Sequence, residues 1–318
     1  MKKYFLLFVI MILCVGLVSS METSTTASLD FPKIVPSGFA RLRYTIDTTA
    51  DAKDGFTIAQ VRFGLKCDIS KDVSFALSLE GTNIDTNNNK ALYDVYMDVK
   101  SIPYFTVRLG QFKYKFSLEQ CIPDADLELI NKSDVVSNLV SPTRDIGIEI
   151  SKSLSIISLK SNWSVAIVNG SGSNQADEND YKTVTGRVVF ALVKGFDLGG
   201  SIYNGTTSST SITKDRIGLE VKYEFEKLMC KAEYIWGKDS NTKKEGYYLT
   251  LGYTIMPSVV LLTRYDVWDS SLKEVGRWTF GLNYFLDKNV LLRNNYELKM
   301  ESPSVKNDLI MTQLQIKF

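Results

Sequence analysis

Apolar and polar side chains alternate with a period of two along most of the chain. Within 216–225, five apolar residues take every second position, while Arg, Gly, Glu, Lys and Glu take the others. Successive side chains of an extended strand point to opposite faces. The pattern therefore predicts β-strands that carry one apolar, aromatic face and one face of charged or small residues.

The same alternation defines sixteen runs, and most of them reach the roughly 9–11 residues that a tilted strand needs to cross a bilayer. The predicted runs are 38–47, 56–68, 72–81, 91–100, 104–114, 145–152, 158–168, 182–192, 195–204, 214–225, 228–236, 246–256, 258–267, 276–286, 289–299 and 308–318.

The connections between these runs alternate in length. Those after even-numbered runs are short, such as 69–71 and 193–194, whereas those after odd-numbered runs are longer and polar, such as 48–55, 169–181 and 237–245. An antiparallel up-and-down barrel with one trimmed end and one elaborated end produces this alternation.

The longest connection, 115–144, is the third long loop. Loops of this length inside a compact protein are usually functional. We expect it to fold into the barrel lumen, with a short helix around Asp126 to Val136; the simpler alternative is a surface loop.

The two ends of the chain favour an outer-membrane barrel. Residues 1–20 have the build of a signal peptide, in which Lys2 and Lys3 precede an apolar run too short to span a membrane. The chain ends on Phe318 in an amphipathic run, like the terminal strand that the barrel-assembly machinery reads. We predict a lead-in at 21–36, a barrel domain at 37–318, and export to a bacterial outer membrane.

The predicted fold is thus all-β: a transmembrane antiparallel barrel of about 16 strands whose apolar faces meet lipid. A closed barrel satisfies every backbone hydrogen bond, and sixteen strands leave an aqueous channel. Aromatic residues near the strand ends are expected to form girdles at the two membrane interfaces. They are Tyr104, Tyr181, Trp236, Tyr253, Trp268 and Trp278.

Composition narrows the chemistry. The 318 residues include no histidine and carry a formal net charge of +1. A chain without histidine has no histidine-based catalytic triad or metal ligand, and neutral charge gives no bias toward nucleic acid. Cys67, Cys121 and Cys230 are too far apart for a metal motif. We predict no enzymatic activity, no cofactor or metal, and no nucleic-acid partner.

Three short segments resemble the phosphate-selective porin O and P family. Within Arg108–Glu119, the residues Gly110, Gln111, Phe112, Lys113, Phe116, Ser117 and Glu119 match the family's motif, with Lys115 where the family usually has proline. Arg144-Asp145-Ile146-Gly147 is similar to the family's sequence at the end of the third loop, and Asn169-Gly170 with Gly186-Arg187 is similar to a further piece. The resemblance implies a sixteen-stranded trimeric channel.

Charged residues of the long loop and the early strands are the candidates for the channel constriction. Acids on an infolded loop that face arginines on the wall would set a transverse field, and rings of charge select ions by sign. The plainer alternative is that these charges only pair with one another and with water. The candidates are Arg41, Arg43, Arg62, Arg108, Lys113, Lys115, Glu119, Asp124, Asp126 and Arg144.

The sequence therefore predicts a porin for small hydrophilic solutes or ions, with an anion or phosphate preference as one form of it. Its expected partners are outer-membrane lipid, the assembly machinery through Phe318, and two further copies in a homotrimer. The alternatives are an adhesin or structural barrel with a plugged lumen, and a soluble exported β-protein.

Overall fold

A computed structural model describes residues 31–83, 91–102, 104–156, 159–177, 179–206, 212–269 and 274–318. It contains sixteen strands, each overlapping one predicted run. They are β1 (Lys33–Asp47), β2 (Gly55–Asp68), β3 (Val73–Glu80), β4 (Leu92–Val99), β5 (Thr106–Lys113), β6 (Arg144–Ile156), β7 (Leu159–Val168), β8 (Thr183–Val193), β9 (Phe196–Thr206), β10 (Thr213–Phe225), β11 (Leu228–Asp239), β12 (Thr242–Met256), β13 (Val259–Asp269), β14 (Glu274–Asp287), β15 (Val290–Glu301) and β16 (Leu309–Lys317).

The strands form one closed antiparallel barrel in which every strand pairs with its neighbours in sequence. Closure occurs between β1 and β16, from Phe39 opposite Lys317 to Asp47 opposite Leu309. The predicted fold class and strand number are confirmed. The β1 strand begins at Lys33, so the barrel includes the last residues of the predicted 21–36 lead-in; the predicted signal peptide at 1–20 lies outside the described residues.

Strand boundaries also differ from the prediction at the long-loop end. The β11 and β12 strands extend toward each other and leave only residues 240 and 241 between them, where a loop over 237–245 was expected. The prediction failed there because Lys238, Asp239 and Lys244 are polar, yet their backbones remain paired in the β11–β12 ladder. Polar composition indicated a loop, but cross-strand hydrogen bonds extend both strands through these residues.

The barrel is apolar on the outside and charged on the inside. On β10, Ile217 and Leu219 are 43% and 54% exposed, while the alternate residues Arg216 and Glu220 are 3% and 4% exposed. Buried charged and exposed apolar residues alternate in the same way on β13, β14 and β15. This distribution is the reverse of that in a soluble β-protein and suits an apolar outer wall in lipid.

Aromatic residues gather near both ends of the outer wall. At the long-loop end, Tyr234 stacks on Trp236, and Tyr265 packs on Trp278 with ring centroids 4.8 Å apart. Trp268 is an exception to the predicted girdle because it packs against the buried aromatic and aliphatic cluster inside the barrel. Its position in the β13 alternation agrees with this orientation, because Trp268 lies two residues after Asp266 and four after Arg264, which are both buried on the inward face.

The segment between β5 and β6, residues 114–143, carries two short helices instead of the single helix predicted around 126–136. The helices are α1 (Leu118–Cys121) and α2 (Asp134–Leu139), and a 3₁₀ turn at Asp124–Asp126 lies between them. Ser117 and Ser133 cap the two helices through their hydroxyl oxygens, which accept from Gln120 and Val136 backbone N–H groups. No helix among the described residues is long and apolar enough to cross a membrane.

The tight turn between β8 and β9 depends on Gly195. Its φ is 80°, and a Cβ at this position would lie 2.0 Å from the carbonyl oxygen of Glu224. A side chain in the left-handed region costs roughly 1–2 kcal/mol, and this one would also push β10 away from the turn.

We therefore expect Gly195→Ala to destabilise the folded barrel by at least about 2 kcal/mol. The measurement is the urea midpoint of the detergent-folded protein, followed by heat-modifiable mobility on gels. Gly200→Ala is the matched control on β9, because a Cβ there meets its nearest backbone atom at 3.5 Å. Equal midpoints for the two variants would contradict this role of Gly195.

Candidate functional site

One side of the 114–143 segment packs against the barrel through apolar contacts. Tyr114, Phe116, Val135 and Leu139 are almost completely buried in a cluster with residues of β7, β9, β11 and β12. The Tyr114 ring lies 5.9 Å from that of Tyr203 on β9. These contacts fix both ends of the segment to the same half of the barrel wall.

The middle of the segment is held through its backbone. It has little secondary structure, so its carbonyl groups need other donors, and side chains of β1, β13, β14, β15 and β16 supply them. Arg264 donates to the carbonyl of Asn131 at 3.0 Å, and Arg293 donates to that of Leu127 at 2.7 Å. The remaining pairs are Arg41 with Asp124, Gln315 with Ala125, Asn283 with Glu128 and Arg277 with Lys132.

These donors lie on the charged face of five neighbouring strands, β13 to β16 and β1, whereas the apolar contacts of the segment are with β7, β9, β11 and β12 further around the barrel. The segment therefore contacts the inward face of the barrel at β1, β9, β11 and β13 to β16.

The acids of the segment are paired directly with cations of the wall. Glu119 lies 3.0 Å from Arg264, and Asp134 lies 3.0 Å from Arg277. Two more acids of the segment have partners on the wall: Asp126 with Lys317 and Glu128 with Lys231. Acids and arginines separated across an open pore, as the transverse-field hypothesis required, are therefore not the arrangement at these positions.

Asp124 is the centre of a cationic cluster. Arg62 lies 2.6 Å from one of its carboxylate oxygens, and Lys113 and Lys132 lie 3.3 and 3.7 Å from the other. The Tyr93 hydroxyl donates to the first oxygen at 3.2 Å. Three cations around one carboxylate leave a net positive charge at this point of the lumen.

The pKa of Asp124 reflects these neighbours. Burial alone would raise its pKa. The nearby cations Lys113, Lys132 and Arg62 lower the pKa by more than burial raises it, so the pKa lies well below the usual range of a carboxyl group. Because its pKa is lowered, the Asp124 carboxylate is fully ionised at every pH above the pKa of an unfolded aspartate. The ion pairs therefore persist at neutral pH, and their contribution to stability is lost only as the pH falls through the lowered pKa in strong acid.

A cavity of about 790 Å³ lies on the short-turn side of this cluster. Among its lining residues, cations outnumber carboxylates by eight to three. The cations are Arg62, Lys66, Arg108, Lys113, Lys115, Arg144, Arg187 and Lys317, and the carboxylates are Asp94, Asp124 and Asp126. A second cavity of about 380 Å³ lies on the other side and shares Asp124 with the first. The Asp124 cluster therefore lies between two cavities, each large enough to hold several water molecules.

The predicted constriction residues separate into three groups. Arg62, Lys113 and Asp124 meet in one cluster, with Arg41 bound to the Asp124 backbone. Three cations line the larger cavity while paired with wall acids: Arg108 with Asp98, Lys115 with Glu149 and Arg144 with Asp94. The other three are outside both groups: Arg43 donates to Gln313, Glu119 binds Arg264, and Asp126 lines the larger cavity as a half-exposed acid that binds Lys317.

Sequence reasoning missed Lys132 and Tyr93. Lys132 is the single lysine or arginine of 116–143, a stretch with five acids, and this imbalance was the available signal. Tyr93 had no signal, because β3 and β4 shift register between Ser78 and Leu79, so that Ser78 pairs with Asp94 and Leu79 with Leu92. The extra residue at this bulge places Tyr93 among the lumen cations.

The closed barrel, its inverted polarity and its charged internal segment together define the architecture of an outer-membrane porin. Solved structures agree on the fold. The anion-selective porin from Comamonas acidovorans has 14% identity and a TM-score of 0.67, covering 91% of this chain and 100% of its own. OmpT of Vibrio cholerae lacking loop L8 has 10% identity and the same TM-score, covering 90% and 99%. A trimer form of OmpT has 9% identity and a TM-score of 0.66, with the same coverage.

The family profile described as phosphate-selective porin O and P matches residues 35–198, about half of the chain. The chain belongs to the phosphate-selective porin O and P family, as the sequence motifs predicted, and is an outer-membrane channel protein. A comparison with curated protein sequences found no match.

Arg264 should be the anchor on which the placement of the segment most depends. Its side chain is 1% exposed and joins Glu119, Asp266 and the Asn131 carbonyl. Removing one partner of a buried ion pair costs about 3–5 kcal/mol. We expect Arg264→Gln to free the segment, seen as trypsin cleavage after Lys132 and as larger, noisier channel currents.

Arg43→Gln is the control, because Arg43 donates to Gln313 on the neighbouring strand. It should leave Lys132 protected and the current unchanged. Protection of Lys132 in both variants, with both barrels folded, would show that Arg264 does not hold the segment.

Proposed function

We propose that this protein is a passive diffusion channel with a preference for small anions, including phosphate, and that residues 114–143 form its constriction. The carrying observation is that eight cations and three carboxylates line the larger cavity, while partner acids such as Glu80, Asp98 and Glu149 do not line it. An excess of cations over acids at the surface of a pore raises the local concentration of anions and selects by sign.

The distribution of ion pairs supports this proposal. Arg264, Arg277 and Arg293 hold the backbone of the segment and are at most 4% exposed, so they are removed from contact with solutes. Lys115 is paired with Glu149 but remains 38% exposed at the cavity. Cations that are paired with an acid but remain exposed at the cavity are the ones that a passing anion meets.

The remaining expectations belong to the same proposal. The chain acts as a channel without catalysis, is exported by a signal peptide at 1–20, and folds with the aid of the assembly machinery that reads Phe318. It forms a homotrimer, as the trimer form of OmpT does. The polar side chains of Thr312 and Asn294 lie on the outer wall near the β1–β16 seam, where a polar surface suits contact with another subunit better than contact with lipid.

The first test is single-channel recording in a planar bilayer under a gradient of potassium chloride. Discrete steps and a reversal potential of the sign for anions are expected, and added phosphate should reduce the chloride current. Folded protein without any conductance would instead favour the adhesin or structural barrel with a plugged lumen.

The variant test removes cavity charge. Arg108→Gln and Lys115→Gln should each lower the anion-to-cation permeability ratio by about twofold to fivefold, because a unit charge at about 4 Å in water contributes about 1 kcal/mol. Lys160→Gln on β7 removes the same charge from an exposed lysine that does not line this cavity, and it should leave the ratio unchanged. Unchanged reversal potentials in all three variants would refute the role of the cavity cations.

A further inference from the structure

Tyr93 lies between two arginines of the constriction. The guanidinium carbon of Arg62 is 3.6 Å from the centre of its ring, and that of Arg144 is 3.5 Å from the same point. Both distances are close to the van der Waals separation of two stacked planar groups, so each guanidinium carbon must lie over a face of the ring. Two guanidinium groups cannot occupy one face at this distance, and they therefore lie on opposite faces, about 7 Å apart.

The outer edges of this stack are held by carboxylates. Arg62 binds Glu80 at 3.0 Å, and Arg144 binds Asp94 at 2.9 Å. These carboxylates alone do not fix the distance between the two arginines. Without the ring between them, the two like-charged guanidinium groups could move apart, each toward its own acid. The negative face of the tyrosine ring attracts both cations at once and fixes the spacing between them.

The stack also spans the boundary between the two spaces of the lumen. Tyr93 lines the smaller cavity, whereas Arg62 and Arg144 line the larger one. An ion that moves from one cavity to the other passes the tyrosine edge and then meets the two guanidinium groups. The position of both charges relative to this path is therefore set by one side chain.

We propose that Tyr93 is a positioning residue for ion selectivity, which holds Arg62 and Arg144 on either side of its ring at the edge of the larger cavity, where their electric field acts on passing ions. The proposal rests on the proposed channel function and adds the residue that determines how effectively these two arginines select. The ring faces carry the effect; the hydroxyl bond to Asp124 is secondary.

The test compares substitutions that keep or remove the ring. Tyr93→Phe and Tyr93→Trp keep two aromatic faces and should retain the native anion-to-cation permeability ratio. Tyr93→Leu and Tyr93→Met remove them and should lower the ratio about threefold, equivalent to about 0.65 kcal/mol and within the cation–π range. The measurement is the reversal potential of each variant that shows native heat-modifiable mobility.

A matched control is Tyr96→Leu, because the ring of Tyr96 contacts one guanidinium group, that of Arg108, at 3.9 Å. Its effect should be less than half of that of Tyr93→Leu. A second check repeats Tyr93→Leu in a channel that already carries Arg62→Gln and Arg144→Gln, where it should no longer change the ratio.

The outcomes separate this proposal from the channel function. A native protein without current, or with cation preference, would refute the channel proposal itself. A native anion preference that Tyr93→Leu and Tyr93→Met leave intact would refute only the role of Tyr93. Equal losses in Tyr93→Phe and Tyr93→Leu would assign the effect to the hydroxyl and Asp124, and would also overturn the proposal.

Discussion

The closure of the sheet between β1 and β16 is the constraint on which the rest of the structure depends. Nine residue pairs from Phe39 to Asp47 join the first strand to the last. Because a closed sheet leaves no unpaired edge, the apolar face of every strand can be turned outward into lipid. The same closure forces the charged faces inward, where they must be hydrated, paired or covered.

The 114–143 segment is what makes that inward face tolerable. Buried arginines such as Arg264 and Arg277 would carry a large desolvation cost if they had no partners, and the segment provides carboxylates and backbone carbonyls for both. The segment in turn has little secondary structure, so the wall supplies its missing hydrogen-bond donors. Wall and segment therefore stabilise each other, and neither arrangement is explained without the other.

The cations of the lumen therefore fall into two groups with different roles. On the side of β13 to β16, the cations bind the backbone and acids of the segment and hold it in place. Toward β2, β5, β6 and β8, Arg108 of the wall and Lys115 of the segment pair with acids of the wall and still border open space. The proposed anion preference therefore depends on cations that do not hold the segment in place. Their number depends on how the segment lies, which makes its anchoring part of the selectivity mechanism.

The sequence by itself determined the strand number, the direction of the apolar faces and the position of the long loop between β5 and β6. These follow from local periodicity and connection length, which each strand expresses without knowledge of its neighbours. It also placed Arg62, Lys113 and Asp124 among the candidates for the constriction, and these three residues meet in one cluster.

Only the tertiary structure decided which charges meet. Arg43 and Arg41 share one face of β1, yet only Arg41 contacts the segment at Asp124. Tyr93 faces the lumen because of a register shift between β3 and β4. Alternation places Trp268 on the inward face, but its packing partners are the apolar cluster that the segment and the wall form together. Periodicity fixes the face on which a side chain lies, but partners are chosen by register, bulges and the path of a loop. Those are properties of strands and segments far apart in the chain, and no local pattern encodes them.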